Sequence, residues 1–194
     1  MFRTNMWGNR MRRIAKFEKV SFAEFEKSYK EFCDAVNEEA VQGRSEQKEE
    51  MVRCAADIYG AITLPRRATS GSAGYDFFST LDVLLQPGES VKIPTGIRAR
   101  MEEGWVLLLY PRSGLGFKYR LQLANTVGVI DSDYYGSDNE GHIQIKITND
   151  SREGKALQIK VGEAFAQGVF TEYGITEDDE AEATRNGGLG STSE

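Results

Sequence analysis

A chain of 194 residues is long enough for one domain with a sizeable core and an appendage, and 40% apolar with 28% charged residues is an ordinary globular balance. Thirty acids against 24 bases give a net charge of −6, which excludes a surface built to coat nucleic acid, although a nucleotide pocket need be basic only inside. The single histidine, His142, excludes a histidine triad and a multi-histidine zinc site, and no apolar run is long enough to span a bilayer. In chain order, the basic start MFRTNMWGNRMRR leads into no apolar h-region or cleavage site, so neither export nor anchoring is expected and the location expected is cytoplasmic. The first dozen residues are expected to be disordered. Ser21 then reads as an N-cap, with Glu24 closing a capping box and Val20 stapled to Phe25. Phe22, Phe25, Tyr29, Phe32, Cys33 and Val36 recur on one helical face. After a polar break at 42–45, a second helix is predicted over Glu46–Tyr59, with Met51, Cys54, Ala55 and Ile58 inward and Gly60 ending it. Two such helices cannot bury their faces alone and must pack on each other and on the domain C-terminal to them, or on a partner. Cys33 and Cys54 fall on the apolar sides and read as reduced core residues of a cytosolic protein.

From Ile62 to Tyr173 the pattern changes to all-β. Strands are predicted at Asp82–Leu85, Ser90–Ile93, Gly96–Met101, Trp105–Leu109, Leu121–Asn125, His142–Thr148, Leu157–Val161 and Ala166–Thr171, separated by Gly, Pro and Asp turns. So many short strands point to a sandwich, jelly roll or small barrel. Residues 174–194 form an acidic linker, Glu177-Asp178-Asp179-Glu180, and a Gly-rich arm, RNGGLGST, that cannot fold alone but suits ordering over a phosphate chain. The domain reading is therefore a helical extension over 1–61, a β domain over 62–173, and a linker with arm over 174–194.

Chemistry concentrates between Pro111 and Gly136. Pro111 stops a strand, and Arg112, Ser113 and Gly114 form a tight turn with a cation, a hydroxyl and approachable backbone, suited to phosphate. Asn125 to Tyr135 reads as a strand, a Gly bend, a strand and an Asx-rich turn. Asp131, at a strand end after two apolar residues, could accept a proton from an attacking water. The loop Ala73-Gly74-Tyr75-Asp76 and the strand entry carrying Gln167 are weaker signals. His142 reads as a surface or strand-edge residue rather than a catalyst.

In this order, AGYD (Ala73–Asp76), PRSGLG (Pro111–Gly116), NTVGVIDSDYYG (Asn125–Gly136), GEAFAQ (Gly162–Gln167) and RNGGLGST (Arg185–Thr192) resemble the five motifs of the trimeric dUTP diphosphatases, the dUTPases. The second and third motifs together are highly specific. The resemblance implies an all-β, dUTPase-like jelly-roll or β-clip barrel, assembled as a homotrimer with active sites between subunits and closed by the C-terminal arm. It implies hydrolysis of dUTP to dUMP and pyrophosphate; no nucleic-acid or membrane partner is expected from the charge and the short apolar runs. Mg2+ is expected on the triphosphate and its waters, with no direct protein ligand.

By position, the resemblance gives each residue a role. Asp131 activates water and contacts the deoxyribose 3′-hydroxyl. Tyr134 lies under the sugar and leaves no room for a 2′-hydroxyl. Asn125, with the backbone through Gly128 and Val129, reads uracil. Arg112, Ser113 and Gly114 clamp phosphate, with Gln167 near the water and α-phosphate and Asp76 near the phosphate–metal end. Arg185, Ser191 and Thr192 reach the γ-phosphate. Leu189 stands where the family carries an aromatic that stacks on the base, one residue closer to the preceding Arg than in the commonest pattern. Ser137–Glu140 reads as a short acidic insertion, and the helical first 60 residues lie outside the family core. Two alternatives stand beside this reading: a dUTPase-like, nucleotide-gated binding protein, and a dCTP deaminase relative. For the second, Lys146 occupies the position where that family's catalytic Glu belongs.

Overall fold

The computed structural model describes residues 12–40 and 55–181, the side chains of 34–40 excepted. The expected disordered start, Val36, residues 46–54 with Met51 and Cys54, and the arm with Arg185, Leu189, Ser191 and Thr192 therefore lie outside the described residues, save for Arg12 and the backbone of Val36.

The first element of the described residues is a strand that the sequence does not announce. Ala15–Lys19 (β1) alternates too weakly to stand out, and its conformation is set by antiparallel pairing with Ser90–Met101 (β5), Phe17 opposite Ala99. Helix Phe22–Ala40 (α1) comes next. Ser21 caps it as expected, its hydroxyl accepting from the Glu24 N–H at 3.2 Å. The other half of the expected capping box is not made by Glu24. The Ser21 N–H donates instead to the Glu140 carboxylate at 2.7 Å, because that loop carboxylate reaches the helix start while Glu24 turns inward beside His142. Phe25, Tyr29 and Phe32 form the buried stripe, whereas Phe22 stays 40% exposed. Helix Ala55–Ala61 (α2) buries Ile58 and sets Tyr59 5.7 Å from the Phe25 ring, so the two helices pack on each other and join the main core. Cys33 packs partly buried against that core.

The remaining strands are Arg66–Arg67 (β2), Tyr75–Phe78 (β3), Val83–Leu85 (β4), Trp105–Pro111 (β6), Leu121–Leu123 (β7), Gly128–Ile130 (β8), Ile143–Asn149 (β9), Leu157–Ile159 (β10) and Ala164–Glu172 (β11). They form a four-stranded sheet in the order β1-β5-β9-β7, a five-stranded sheet β2-β3-β11-β6-β8 and the pair β10-β4, with antiparallel neighbours throughout. Period-two burial drives the assembly: Ile143, Ile145 and Ile147 of β9 point inward while Lys146 points out. One continuous core joins them to Leu107 and Leu109 of β6 and to Phe77 and Phe165. The result is a mostly β, jelly-roll-like fold.

The segment after Pro111 is helical, where the sequence suggests a tight turn. Arg112 stays extended as the N-cap of Ser113–Tyr119 (α3), and Arg120 ends the helix in the left-handed region. His142 also departs from expectation. It is 0% exposed rather than at the surface, because α1 covers it.

Candidate functional site

The sequence-predicted site residues fall in two patches, the first built by the five-stranded sheet and the second where its strand β8 follows β7 of the four-stranded sheet. The first patch arises because β3, β11 and β6 lie side by side, with Gln167 opposite Asp76 on one flank and Tyr110 on the other. Arg112 directly follows β6, and its Nε lies 3.2 Å from Asp76 Oδ1. Gln167 donates from Nε2 to the Pro111 carbonyl at 3.3 Å. Its Oε1 lies only 2.6 Å from where a Cβ on residue 74 would stand, so the glycine at 74 is what lets this side chain lie against the loop. Ser113 and Gly114 are exposed on the first turn of α3. Asp76, Arg112, Ser113, Gly114 and Gln167, drawn from three distant stretches of sequence, thus share one polar patch with a cation at its centre.

The second patch is the link from β7 to β8 and the turn after β8; the two strands do not pair as the expected hairpin, because β7 joins β9 in the four-stranded sheet and β8 joins β6 in the five-stranded one. Asn125 lies at the exposed tip, where its carbonyl accepts from the Val127 N–H at 2.7 Å. Gly128 is buried opposite Leu109, and Val129 is exposed. Asp131, half-buried, precedes the 3-10 turn Ser132–Gly136 as its N-cap, and its carbonyl accepts from the Tyr134 N–H at 3.2 Å. Tyr134 is 4% exposed. Its hydroxyl donates to the His142 carbonyl at 2.9 Å and accepts from Asn139 Nδ2 at 2.8 Å.

A single chain does not bring the carboxylate of the second patch to the cation of the first. Ile130, just before Asp131, pairs with Leu107, whereas Arg112 stands five residues further along the same strand direction. At strand rise that is roughly 17 Å, several times the reach of one bridging water.

Sequence reasoning missed the residues that hold the Asp131–Gly136 turn in place. Tyr135 donates to Glu18 of β1 at 2.6 Å, and the Lys16 hydrogen bond, followed by that from Tyr135, lowers the Glu18 carboxyl to about 2. Ser21 likewise lowers Glu140 by hydrogen bonding. Burial raises Glu24 and depresses the His142 imidazole to about 4. A lone histidine after an acidic loop carries no sequence signal for this network; only the position of α1 discloses it.

For a divalent cation, the carboxylate in the first patch is Asp76, already set against Arg112. That donor set suits an ion brought in by phosphate oxygens and waters better than a cage of protein ligands. No helix among the described residues is long and apolar enough to cross a membrane.

The family model for dUTPase matches residues 61–193. The chain is 44% identical over 134 residues to the deoxyuridine 5′-triphosphate nucleotidohydrolase of Lactococcus lactis, covering 68% of this chain and 88% of that one. It is 41% identical over 139 residues to the protein of the same name from Hahella chejuensis, covering 68% and 87%. Among solved structures it resembles the dUTPase of Streptococcus mutans at 39% identity, with a TM-score of 0.53 over 59% of this chain and 88% of that one. It also resembles a point mutant of the dUTPase from phage phi11 of S. aureus, described as coordinating a structural Mg(II) ion, at 28% identity and a TM-score of 0.50 over 62% and 90%.

Proposed function

Because the chain belongs to the dUTPase family, we propose that it converts dUTP to dUMP and pyrophosphate at sites shared between the chains of a homotrimer. Asp131 accepts a proton from the water that attacks the α-phosphorus. The proton leaves water as its oxygen bonds to phosphorus, and the bond to the bridging oxygen of pyrophosphate breaks. Arg112, Ser113 and Gly114 bind the phosphate chain and stabilise its charge, with Asp76 holding the guanidinium by its Nε edge. Gln167 orients the water and the α-phosphate. Mg2+ carried on the triphosphate supplies charge neutralisation for the departing pyrophosphate.

At the other end of the ligand, Asn125 and the backbone through Gly128 and Val129 read the uracil edge. Tyr134 forms the floor beneath the deoxyribose. Arg185, Ser191 and Thr192 of the arm close on the γ-phosphate, with Leu189 over the base. The observation that supports a shared site best is the separation of roughly 17 Å between Asp131 and the Arg112 patch in one chain. A second copy supplying the missing patch resolves that separation, and closed cyclic symmetry then repeats the arrangement in every chain.

Pyrophosphate release from dUTP, dTTP, dCTP and UTP tests the reading. Strong turnover of dUTP with the other three far behind is expected. Equal turnover of dUTP and UTP, or none of dUTP, would overturn it.

A further inference from the structure

The loop of residues 137–142 joins the Tyr134 turn to the N-terminal segment. On the N-terminal side, Glu140 accepts from both the backbone N–H and the hydroxyl of Ser21, at 2.7 and 2.6 Å. On the turn side, the neighbouring Asn139 donates to the Tyr134 hydroxyl at 2.8 Å and accepts from the Gly141 N–H at 3.3 Å. The Tyr134 hydroxyl donates onward to the carbonyl of His142.

That histidine is itself held on both ring nitrogens. Nε2 accepts from the Gly96 N–H at 2.9 Å, and Nδ1 lies 3.3 Å from both Glu24 and Ser28 of α1. One residue beyond Tyr134, Tyr135 is fastened to Glu18 of β1, with the Arg98 guanidinium 4.4 Å above its ring. Gly141, at φ +70°, presses the loop so close that a Cβ there would fall 2.7 Å from the Tyr134 carbonyl oxygen. The turn is therefore tied to the N-terminal segment at three places, and the Tyr134 hydroxyl lies at the centre of the ties.

We propose that the N-terminal segment Ala15–Cys33 sets sugar selectivity by bracing this loop, with Asn139 and Glu140 acting as positioning residues that immobilise the Tyr134 ring. The proposal rests on the dUTP reading and on Tyr134 as the sugar floor. Its physical basis is that a wall excludes one extra hydroxyl only if it cannot retreat. A ring free to shift by about 1 Å would admit the 2′-hydroxyl it is meant to reject. Hydrophobic packing fixes the plane of the ring. The two hydrogen bonds at its hydroxyl fix its reach.

The test is kcat and KM for dUTP and UTP in the wild type and in Asn139→Ala, Tyr134→Phe, their double variant, Glu140→Ala and Glu140→Gln. Asn139→Ala and Tyr134→Phe are each expected to narrow the dUTP-over-UTP ratio of kcat/KM by about tenfold, chiefly through better use of UTP. The double variant is expected to be no worse than either single one, because both remove the same link. Glu140→Ala should narrow the ratio less. Glu140→Gln, which can still bond Ser21, should restore it.

An unchanged ratio in Tyr134→Phe and Asn139→Ala, equal losses on both substrates, or additive effects in the double variant would overturn the proposal. Tyr134→Phe and Glu140→Gln change only polar atoms, so they decide the matter even if an alanine variant fails to fold. A wild type that does not turn over dUTP would overturn the functional reading itself. That result is distinct from an active wild type whose ratio ignores the loop.

Discussion

Asp131 stands at the end of an apolar strand and at the start of a tight turn, a place that holds a carboxylate still while leaving it half-open to water. Asp131→Asn keeps the shape and removes the base, so dUTP binding should persist while turnover falls at least about 100-fold. Near-normal turnover with unchanged binding would remove Asp131 from the mechanism. His142 makes a different prediction. Burial lowers its imidazole from 6.5 to about 4, so between those values the unfolded chain binds the extra proton and the folded chain does not. Stability should therefore fall as pH drops from about 6.5 to about 4, by up to about 1.4 kcal/mol per pH unit, partly opposed by the raised carboxyl of Glu24 beside it. Urea unfolding of the wild type and of His142→Asn at about pH 7 and about pH 5 checks the sign: the variant should lose less on acidification. At this scale the strand-end settings of Asp131 and Arg112 are legible in the sequence, because turn and strand-end chemistry is local. It does not disclose His142 or Glu140, whose partners lie 118 and 119 residues away in the chain.

Among the elements, β6 carries most of the organisation, since β11 and β8 flank it and Arg112 follows it. The predicted strand at Trp105–Leu109 falls inside it, as apolar alternation bounded by Gly104 and a proline allows. The helix α3 was not legible, because two glycines in PRSGLG weigh against a helix and its closure depends on Arg120 adopting φ +51°. Nor was β1, whose conformation comes from the edge of β5 rather than from its own residues. Close packing between elements gives a test at Gly74. A methyl group there would meet Gln167 Oε1 at 2.6 Å and push that side chain aside. Gly74→Ala should retain the fold and its melting temperature within a few degrees while losing about tenfold or more in kcat. A variant with wild-type kcat would free Gln167 from any part in positioning water. Ser21→Ala should cost about 1 kcal/mol of stability through the lost cap, read from urea unfolding.

At the scale of the whole molecule, an exposed segment leaves the β domain near Gly104, where the Tyr173 N–H donates to the Gly104 carbonyl. Deleting Thr184–Glu194 should leave the β domain folded, since these residues are Gly-rich and polar, yet should remove most turnover through loss of Arg185, Ser191 and Thr192. Full activity after the deletion would strike the arm from the site. The assembly is argued from the same geometry that separates Asp131 from Arg112 in one chain. The most direct measurement is complementation between two disabled chains, Asp131→Asn and Arg112→Ala, assayed for dUTP hydrolysis separately and after co-expression. If sites are shared, mixed trimers contain sites drawing a wild-type Asp131 from one chain and a wild-type Arg112 from another. The co-expressed protein should then recover about a quarter of wild-type activity. A mixture as inactive as either variant alone, in trimers shown to contain both chains, would contradict the shared site.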